Sequence, residues 1–110
     1  MELQKFLMEH KDDWEEILDR EPYCLKWNKW KGFVSFKYNQ IQSDFSNPIV
    51  REARGAVFIE GTWECVSRAF DKFFNYGEPN ASAIDWPTAR VMEKIDGSLM
   101  RLFYWKDRWY

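Results

Sequence analysis

The sequence predicts an α+β fold, with one N-terminal amphipathic helix packed on a largely antiparallel sheet. Apolar residues recur at helical spacing over residues 3–18, with acidic residues on the other face. From residue 33 to residue 38 the pattern changes to the alternation of a strand. Residues 56–59 and 63–69 flank a turn at 60–62, which indicates an antiparallel hairpin.

Proline and loop-forming residues set the boundaries of these elements. The helix must end near Arg20, because Pro22 disfavours the helical conformation of Glu21. We expect loops at 42–48 and 77–87, strands at 89–94 and 99–104 on either side of Asp96-Gly97, and a turn at 106–107 that leads into a further strand.

Size and charge limit the class of protein. The chain of 110 residues suits a single domain, and its 45% hydrophobic and 31% charged residues exclude intrinsic disorder. The net charge of −2 argues against nucleic-acid binding by bulk charge and leaves a local basic site open. No apolar run approaches the roughly 20 residues of a membrane span, and the acidic N-terminus is unlike a signal peptide. We therefore expect a cytoplasmic protein with no membrane partner.

Several residues have both a structural and a functional interpretation. Cys24 and Cys65 lack the spacing of a zinc site, and we expect both to be buried thiols. His10 lies on the apolar stripe, which favours packing over a role as a catalytic base. Four tryptophans with basic residues between them resemble a stacking surface for single-stranded nucleic acid, although the same alternation is typical of half-buried strands, which we favour. They are Trp27, Trp30, Trp105 and Trp109.

The residues with the clearest chemistry are Lys94, Ile95, Asp96 and Gly97. They match the K-x-D-G pattern that carries the nucleophilic lysine of covalent nucleotidyltransferases. Three fixed residues also occur by chance, and Asp-Gly is equally a hairpin turn, with Lys94 as a solvated charge at the end of a strand. The motif alone leaves both interpretations open.

Two upstream segments decide between these interpretations. Residues 51–58 contain an R-G-(hydrophobic)-F sequence, and residues 68–78 contain R-A-F-D-K-F-F-N. These blocks and K-x-D-G follow one another as in the phage T4-type RNA ligase family, which the chain resembles from about Pro22 to its C-terminus. Ala69 is one departure, because the family often has proline there, and we expect it to alter only local backbone stiffness.

The resemblance implies an ATP-dependent RNA ligase that serves RNA end joining and repair. Such a nucleotidyltransferase reacts with ATP and Mg²⁺ to form lysine-AMP, passes the AMP to an RNA 5′-phosphate and seals that end to a 3′-hydroxyl. It implies that Lys94 is the adenylylated nucleophile and that Arg54 and Lys72 hold the triphosphate. The other nucleotide-binding residues that it implies are Phe73, Glu93, Ile95, Asp96 and Gly97; the metal ligands are unknown.

The chemistry makes demands on these residues. A lysine must attack as a neutral amine, whereas its ordinary pKa is near 10.4. Asp96 cannot favour the neutral form, because residues two apart on an extended chain share a face and a carboxylate stabilises an ammonium. We expect Mg²⁺, neighbouring cations and desolvation to do so, while Asp96 bonds to amides of its turn and Gly97 leaves room for the turn or a phosphate.

The arrangement of the site follows from the same demands. Arg54 and Lys72 should converge with Lys94 on one concave site, since cations that serve one ligand must surround it. Of Phe73 and Phe74, one can reach the nucleotide while the other packs in the core, because neighbours on a strand point to opposite faces. Which of the two does so stays open.

The family's adenylylation domain continues with motifs that contact the nucleoside and the metal, and residues 98–110 cannot supply them. The resemblance therefore implies that residues 1–110 are the N-terminal portion of that domain, which alone is folded but inactive or nearly so. A sheet edge left unpaired near residues 99–110 would invite self-association. The alternative is a non-catalytic RNA- or protein-binding module derived from the same half-domain.

Overall fold

The computed structural model describes residues 1–110 and confirms the α+β class. The chain divides into two compact units, Met1–Phe73 and Phe74–Tyr110. That both belong to one domain stays a prediction. None of the helices combines the length and the apolar character that crossing a membrane requires.

The first unit contains three helices and four strands: α1 (Glu2–Glu9), α2 (Trp14–Asp19), β1 (Lys26–Trp30), β2 (Phe33–Lys37), α3 (Pro48–Glu52), β3 (Arg54–Ile59) and β4 (Cys65–Ser67). The second unit contains a 3-10 turn (Trp86–Thr88), β5 (Tyr104–Trp105) and β6 (Arg108–Trp109).

The first unit is built on a four-stranded antiparallel sheet in the order β1-β2-β3-β4. One face of the sheet packs against the helices, because its alternate residues are apolar. The Trp14 ring of α2 lies at the centre, 5.1 Å from Trp27, 5.4 Å from Phe36 and 5.3 Å from Trp63, in the edge-to-face geometry that aromatic rings prefer. The fully buried large side chains are Leu3, Leu7, Leu18, Leu25, Val34, Phe36, Val50 and Phe58.

The N-terminal helix, expected in one piece, is two helices, α1 and α2, separated by residues 10–13. His10 leaves the helical region with φ −117° and ψ 50°, and Asp13 is the N-cap residue of α2. Aspartate competes with helical hydrogen bonds and favours caps and turns, which explains the break. The apolar stripe continues across it, since Leu7 and Trp14 are both buried.

The structural interpretations of His10 and Cys24 fit their positions, whereas the expected burial of Cys65 is only partly met. The His10 ring stacks on Phe6 with 4.3 Å between the centroids, and its Nδ1 lies 3.2 Å from Oδ1 of Asp13. Neither cysteine forms a disulfide. Cys24 is buried as predicted, whereas Cys65 is only half-buried.

The four tryptophans of the possible stacking surface lie on strands, as predicted. Trp27 packs against Trp14 on the helix side of the sheet, whereas Trp30 is exposed and points to the opposite face. Trp105 and Trp109 belong to the second unit. Strand β1 therefore does not present its two tryptophans as one continuous surface.

Helix α3 follows the loop predicted at residues 42–48 and was not itself predicted. The side-chain oxygen of Asn47 accepts the amide of Ile49 at 2.9 Å and caps the helix. Pro48 takes the first helical position, where its missing N–H has no intrahelical partner to lose. The Asn-Pro pair is thus the sequence signal for this short helix.

A β-bulge separates Arg54 from the regular part of β3. Ser35 is opposite Val57, and two residues later Lys37 is opposite Arg54, so β3 contains one additional residue here. Gly55 within this step has φ 75°, which glycine adopts without steric penalty. Arg54 consequently shares a face of the sheet with Lys37, and that face is turned away from the helices.

The strands predicted at 89–94 and 99–104 are wrong, since residues 89–103 contain no strand and only the hairpin β5–β6 forms. Its turn residues Lys106 and Asp107 have φ 46° and 61°, as a type I′ turn requires. Apolar alternation produces a strand only where a neighbour accepts its hydrogen bonds and a second layer covers its face. Self-association through a sheet edge in this unit stays a prediction. The large apolar side chains of the stretch are exposed: Val91, Met92, Ile95, Leu99, Met100 and Leu102.

Candidate functional site

Arg54, the first residue of β3, is held by the segment that follows β4. Its guanidinium carbon lies 5.0 Å from the centroid of the Phe73 ring, within the range of a cation–π interaction. Its Nη1 donates a hydrogen bond to the carbonyl oxygen of Phe70 at 3.4 Å. Arg54 takes part in no salt bridge, so its charge is available to an anionic ligand.

Lys72 rests on two aromatic rings of the first unit, Tyr38 and Phe45, which we name the aromatic wall. Its Nζ lies 5.4 Å from the Tyr38 centroid and 4.7 Å from the Phe45 centroid. The two rings meet edge-on at 5.0 Å. The backbone amide of Lys72 donates to the carbonyl oxygen of Arg51 at 3.0 Å, which ties the segment to α3. The aromatic wall and this backbone hydrogen bond thereby position the ammonium.

A cavity of about 580 Å³ opens beside Arg54. Lys26, Lys37, Tyr38 and residues 39–41 contribute to its lining together with Arg54, and no aspartate or glutamate does. This volume is typical of a small-molecule site. The cavity is therefore a positively charged recess in a chain whose net charge is −2.

Arg68 is the first residue of the second sequence block, and it forms ion pairs with two acidic residues. Its Nη2 lies 2.9 Å from Oδ1 of Asp71 and 3.9 Å from Oε1 of Glu52. The hydrogen bond that Arg68 donates to Asp71 raises the pKa of the guanidinium above its ordinary value. Because acidic partners already neutralise its charge, Arg68 stabilises the block rather than offering a free cation.

Lys94 lies in the second unit outside any helix or strand, with 91% of its side chain exposed. Its Nζ is 3.7 Å from Oδ1 of Asp96, which is the same-face relationship expected for residues two apart. The expectation that Asp96 bonds to amides of a turn is wrong, because its fully exposed carboxylate makes this ion pair and no hydrogen bond to the backbone. The absence of flanking strands removes the hairpin that would hold such a turn.

The remaining predicted nucleotide-binding residues are distributed over both units. Phe73 belongs to the first unit, with its ring beneath Arg54. Glu93, Ile95 and Gly97 surround Lys94 in the second unit and are exposed, and Gly97 has φ 139°. The structure brings together Arg54 and Phe73 and, separately, Lys94 and its neighbours. Convergence of the two groups on one ligand stays a prediction.

The side chains of this chain do not by themselves fit a Mg²⁺ site. Among residues 1–110 there is no group of three or more His, Cys, Asp or Glu side chains that could hold a metal ion. Hard cations such as Mg²⁺ take oxygen ligands, chiefly carboxylates and phosphates. No step of the chemistry below is therefore assigned to a metal bound by this chain.

Four residues of the site were not predicted from the sequence. The aromatic wall depends on the loop after β2 folding back, which no local pattern reveals. In the sheet register Lys26 is opposite Lys37, and Lys37 is opposite Arg54. Both lysines therefore lie on the same face of the sheet as Arg54 and line the cavity. The alternation of β2 already places Lys37 away from the core, and this was the one available signal.

Comparisons with known proteins identify the chain's relatives. A family model of the T4 type, described as RNA ligase, matches residues 52–110. A bifunctional polynucleotide kinase/RNA ligase of Autographa californica nuclear polyhedrosis virus, by its name, is 32% identical over 83 residues, which cover 66% of this chain and 12% of the relative. A protein named as an RNA ligase from Thermovibrio ammonificans is 36% identical over 86 residues, with 67% and 22% covered.

RNA ligase 1 of bacteriophage TS2126 is 40% identical over 81 residues, which cover 66% of this chain and 20% of that ligase. The chain thus spans less than a quarter of the length of each of these relatives. No solved structure matches it. The family match covers more than half of the chain and includes Arg54, Lys72 and Lys94. The chain belongs to the T4-type RNA ligase family.

Proposed function

We propose that this chain carries the nucleophile of an ATP-dependent RNA ligase and that Lys94 forms the ligase-AMP adduct. The observation that supports it best is that the segment matched by the RNA ligase family, residues 52–110, contains Lys94 in its K-x-D-G motif. The exposed Lys94 amine is accessible to a phosphorus atom. ATP, Mg²⁺ and RNA ends are the expected ligands of the whole ligase.

The reaction begins at Nζ of Lys94, which attacks the α-phosphorus of ATP. The new N–P bond forms as the bond to the β-phosphate oxygen breaks, pyrophosphate leaves and the amine proton passes to solvent. An RNA 5′-phosphate oxygen then displaces the lysine and takes the AMP. A 3′-hydroxyl oxygen finally attacks that 5′-phosphorus, so that a phosphodiester forms and AMP is released.

In this proposal the first unit supplies charge to the triphosphate. Arg54 and Lys72 place two cations on aromatic faces. Phosphoryl transfer depends mainly on such positioning and charge stabilisation. Attack by the neutral amine requires desolvation and nearby cations, whereas 91% of the Lys94 side chain is exposed in this chain. We therefore expect the chain on its own to form little or no lysine-AMP.

The test is a chimera of TS2126 RNA ligase 1 in which this chain replaces the aligned segment. After incubation with ATP labelled at the α-phosphate and Mg²⁺, we expect covalent label that Lys94→Ala abolishes. Lys106→Ala is the matched control, an exposed lysine outside the motif, and should keep the label. A folded chimera that binds ATP yet stays unlabelled, or label that persists in Lys94→Ala, contradicts the proposal. The first of these outcomes favours the non-catalytic RNA- or protein-binding module instead.

A further inference from the structure

Three basic side chains form a row across the face of the sheet that the helices leave open. Lys26 on β1 is opposite Lys37 on β2, and Lys37 is opposite Arg54 on β3. Directly opposite residues point to the same face, and neighbouring strands are about 4.8 Å apart. We name Lys26, Lys37 and Arg54 the cation row. All three line the cavity of about 580 Å³.

The charges of the cation row are only partly compensated within the protein. Lys26 forms an ion pair with Asp19 at 3.0 Å. Lys37 makes no salt bridge, and Arg54 contacts only a carbonyl oxygen and an aromatic ring. Like charges directly opposite each other destabilise a sheet, so an anion bound along the row would relieve a repulsion present in the free protein.

The position of the row in the sheet indicates an extended ligand. Strand β1 is at the edge of the sheet, so the row leads from Arg54 in the interior of the sheet to Lys26 at its border. A compact triphosphate could place its charges near Arg54 alone. A polymer with regularly spaced phosphates can contact all three cations and continue past the edge of the sheet into solvent. Proteins bind single-stranded nucleic acid along such basic grooves.

We infer that the cation row binds the phosphodiester backbone of a single-stranded RNA substrate and that Lys37 is its central contact. This inference rests on the proposed function, since RNA is the substrate class of a ligase. Lys37 adds charge beside Arg54 on the same side of the sheet, so the strand leaves the nucleotide site over β2 and β1. The contacts are to phosphates and therefore independent of base sequence.

The experiment measures fluorescence anisotropy of a labelled single-stranded oligoribonucleotide titrated with the 110-residue chain at several salt concentrations. Lys37→Gln should weaken binding roughly fivefold, as expected for one exposed charge contact. It should also reduce the slope of log affinity against log salt by about 0.7. Lys31→Gln makes the same charge change at the other end of the β1–β2 hairpin and should bind like the unsubstituted chain. Lys37→Arg should retain the affinity.

Inorganic tripolyphosphate provides the second arm of the experiment. If Lys37→Gln weakens tripolyphosphate binding and leaves RNA binding unchanged, the row serves a nucleotide tail and the inference is overturned. It is equally overturned if the unsubstituted chain binds no RNA, or if Lys31→Gln and Lys37→Gln lose affinity alike. Circular dichroism confirms that the variants are folded. The same RNA titration with the TS2126 chimera separates the two proposals. If Lys94 is labelled and Lys37→Gln leaves RNA binding unchanged, only the inference about the cation row is wrong. If Lys94 stays unlabelled and Lys37→Gln weakens RNA binding, only the adenylylation proposal is wrong.

Discussion

The carboxylate of Glu52 accepts the backbone amide of Leu3 at 2.9 Å, so the last residue of α3 closes the first turn of α1. The same carboxylate accepts the amide of Glu2 at 3.2 Å. A helix N-terminus leaves such amides without partners and favours negative charge. Because only 10% of its side chain is exposed, Glu52 acts as a tertiary cap that joins two helices distant in sequence.

Glu52→Gln should lower the free energy of unfolding by about 1–2 kcal/mol, because a charged acceptor of two helix amides becomes a neutral one. Urea denaturation monitored by tryptophan fluorescence measures the change. Glu64→Gln is the control, an exposed glutamate whose carboxylate makes no hydrogen bond. Equal stability of the two variants would contradict the capping role.

Gly55→Ala should destabilise the chain by about 1–2 kcal/mol, because φ 75° places a Cβ close to the following carbonyl oxygen. Gly55→Asn should cost less, since asparagine tolerates the left-handed region better than other residues with side chains. Thermal unfolding followed by circular dichroism ranks the three proteins. If alanine were tolerated as well as glycine, the bulge would not depend on the left-handed conformation.

Lys29 bridges α2 and the end of β3, with its Nζ 2.5 Å from Glu15 and 2.9 Å from Glu60. Hydrogen bonds to Glu15 and then Glu60 raise its pKa above the ordinary 10.5. A raised pKa in the folded state means that the stabilisation is complete below pH 10.5 and is lost as the pH rises through the higher value. The stability difference between the unsubstituted chain and Lys29→Met should thus be constant near neutral pH and shrink above pH 10.5.

Urea titrations of both proteins across that range test the Lys29 prediction. Lys31→Met, which removes an exposed lysine seated over Trp30, is the control and should show a smaller stability difference near neutral pH. A Lys29 difference that grows with rising pH would contradict the assignment, because it would mean that the neutral amine is the stabilising form.

Lys72→Met should leave the fold intact and reduce the rate of ligase-AMP formation in the TS2126 chimera by about 10²- to 10³-fold, the usual effect of removing one well-placed charge. Lys72→Arg keeps a cation on the aromatic wall and should retain more of the rate. Single-turnover labelling separates this step from RNA sealing. A rate that Lys72→Met leaves unchanged would exclude Lys72 from the triphosphate site.

Strand β2 was predictable because the apolar alternation seen in the sequence is also what buries one face of the strand. Val34 and Phe36 alternate with polar residues, and their burial against the helices gives the strand its period. The same reasoning misjudged residues 10–13, because apolar periodicity continues across a turn and only the aspartates mark the break. It also failed for residues 89–103, where exposed apolar side chains lack the neighbouring strand that alternation presupposes.

For the candidate site, motifs identified residue types, and only the fold identified their partners. Arg54 and Lys72 were named from sequence blocks, and both face cation–π partners in the first unit. Phe45 could not be anticipated, since its contact with Lys72 depends on how a loop closes over the sheet. The position of Lys37 beside Arg54 could be predicted only from the exact register between β2 and β3, and the bulge shifts that register between Ser35 and Lys37.

The bulge in β3 decides on which face of the sheet the charge of Arg54 lies. In an uninterrupted strand Arg54 would be two residues from the buried Ala56 and would point to the same side, beneath the helices. A regular strand with the same number of residues would preserve every apolar position from Ala56 onward and yet carry the guanidinium from the open face toward the interior. Deletion of Gly55 would instead leave the guanidinium on the open face, opposite Lys37. The positive character of the recess is therefore inherited through the bulge as well as through the identity of Arg54.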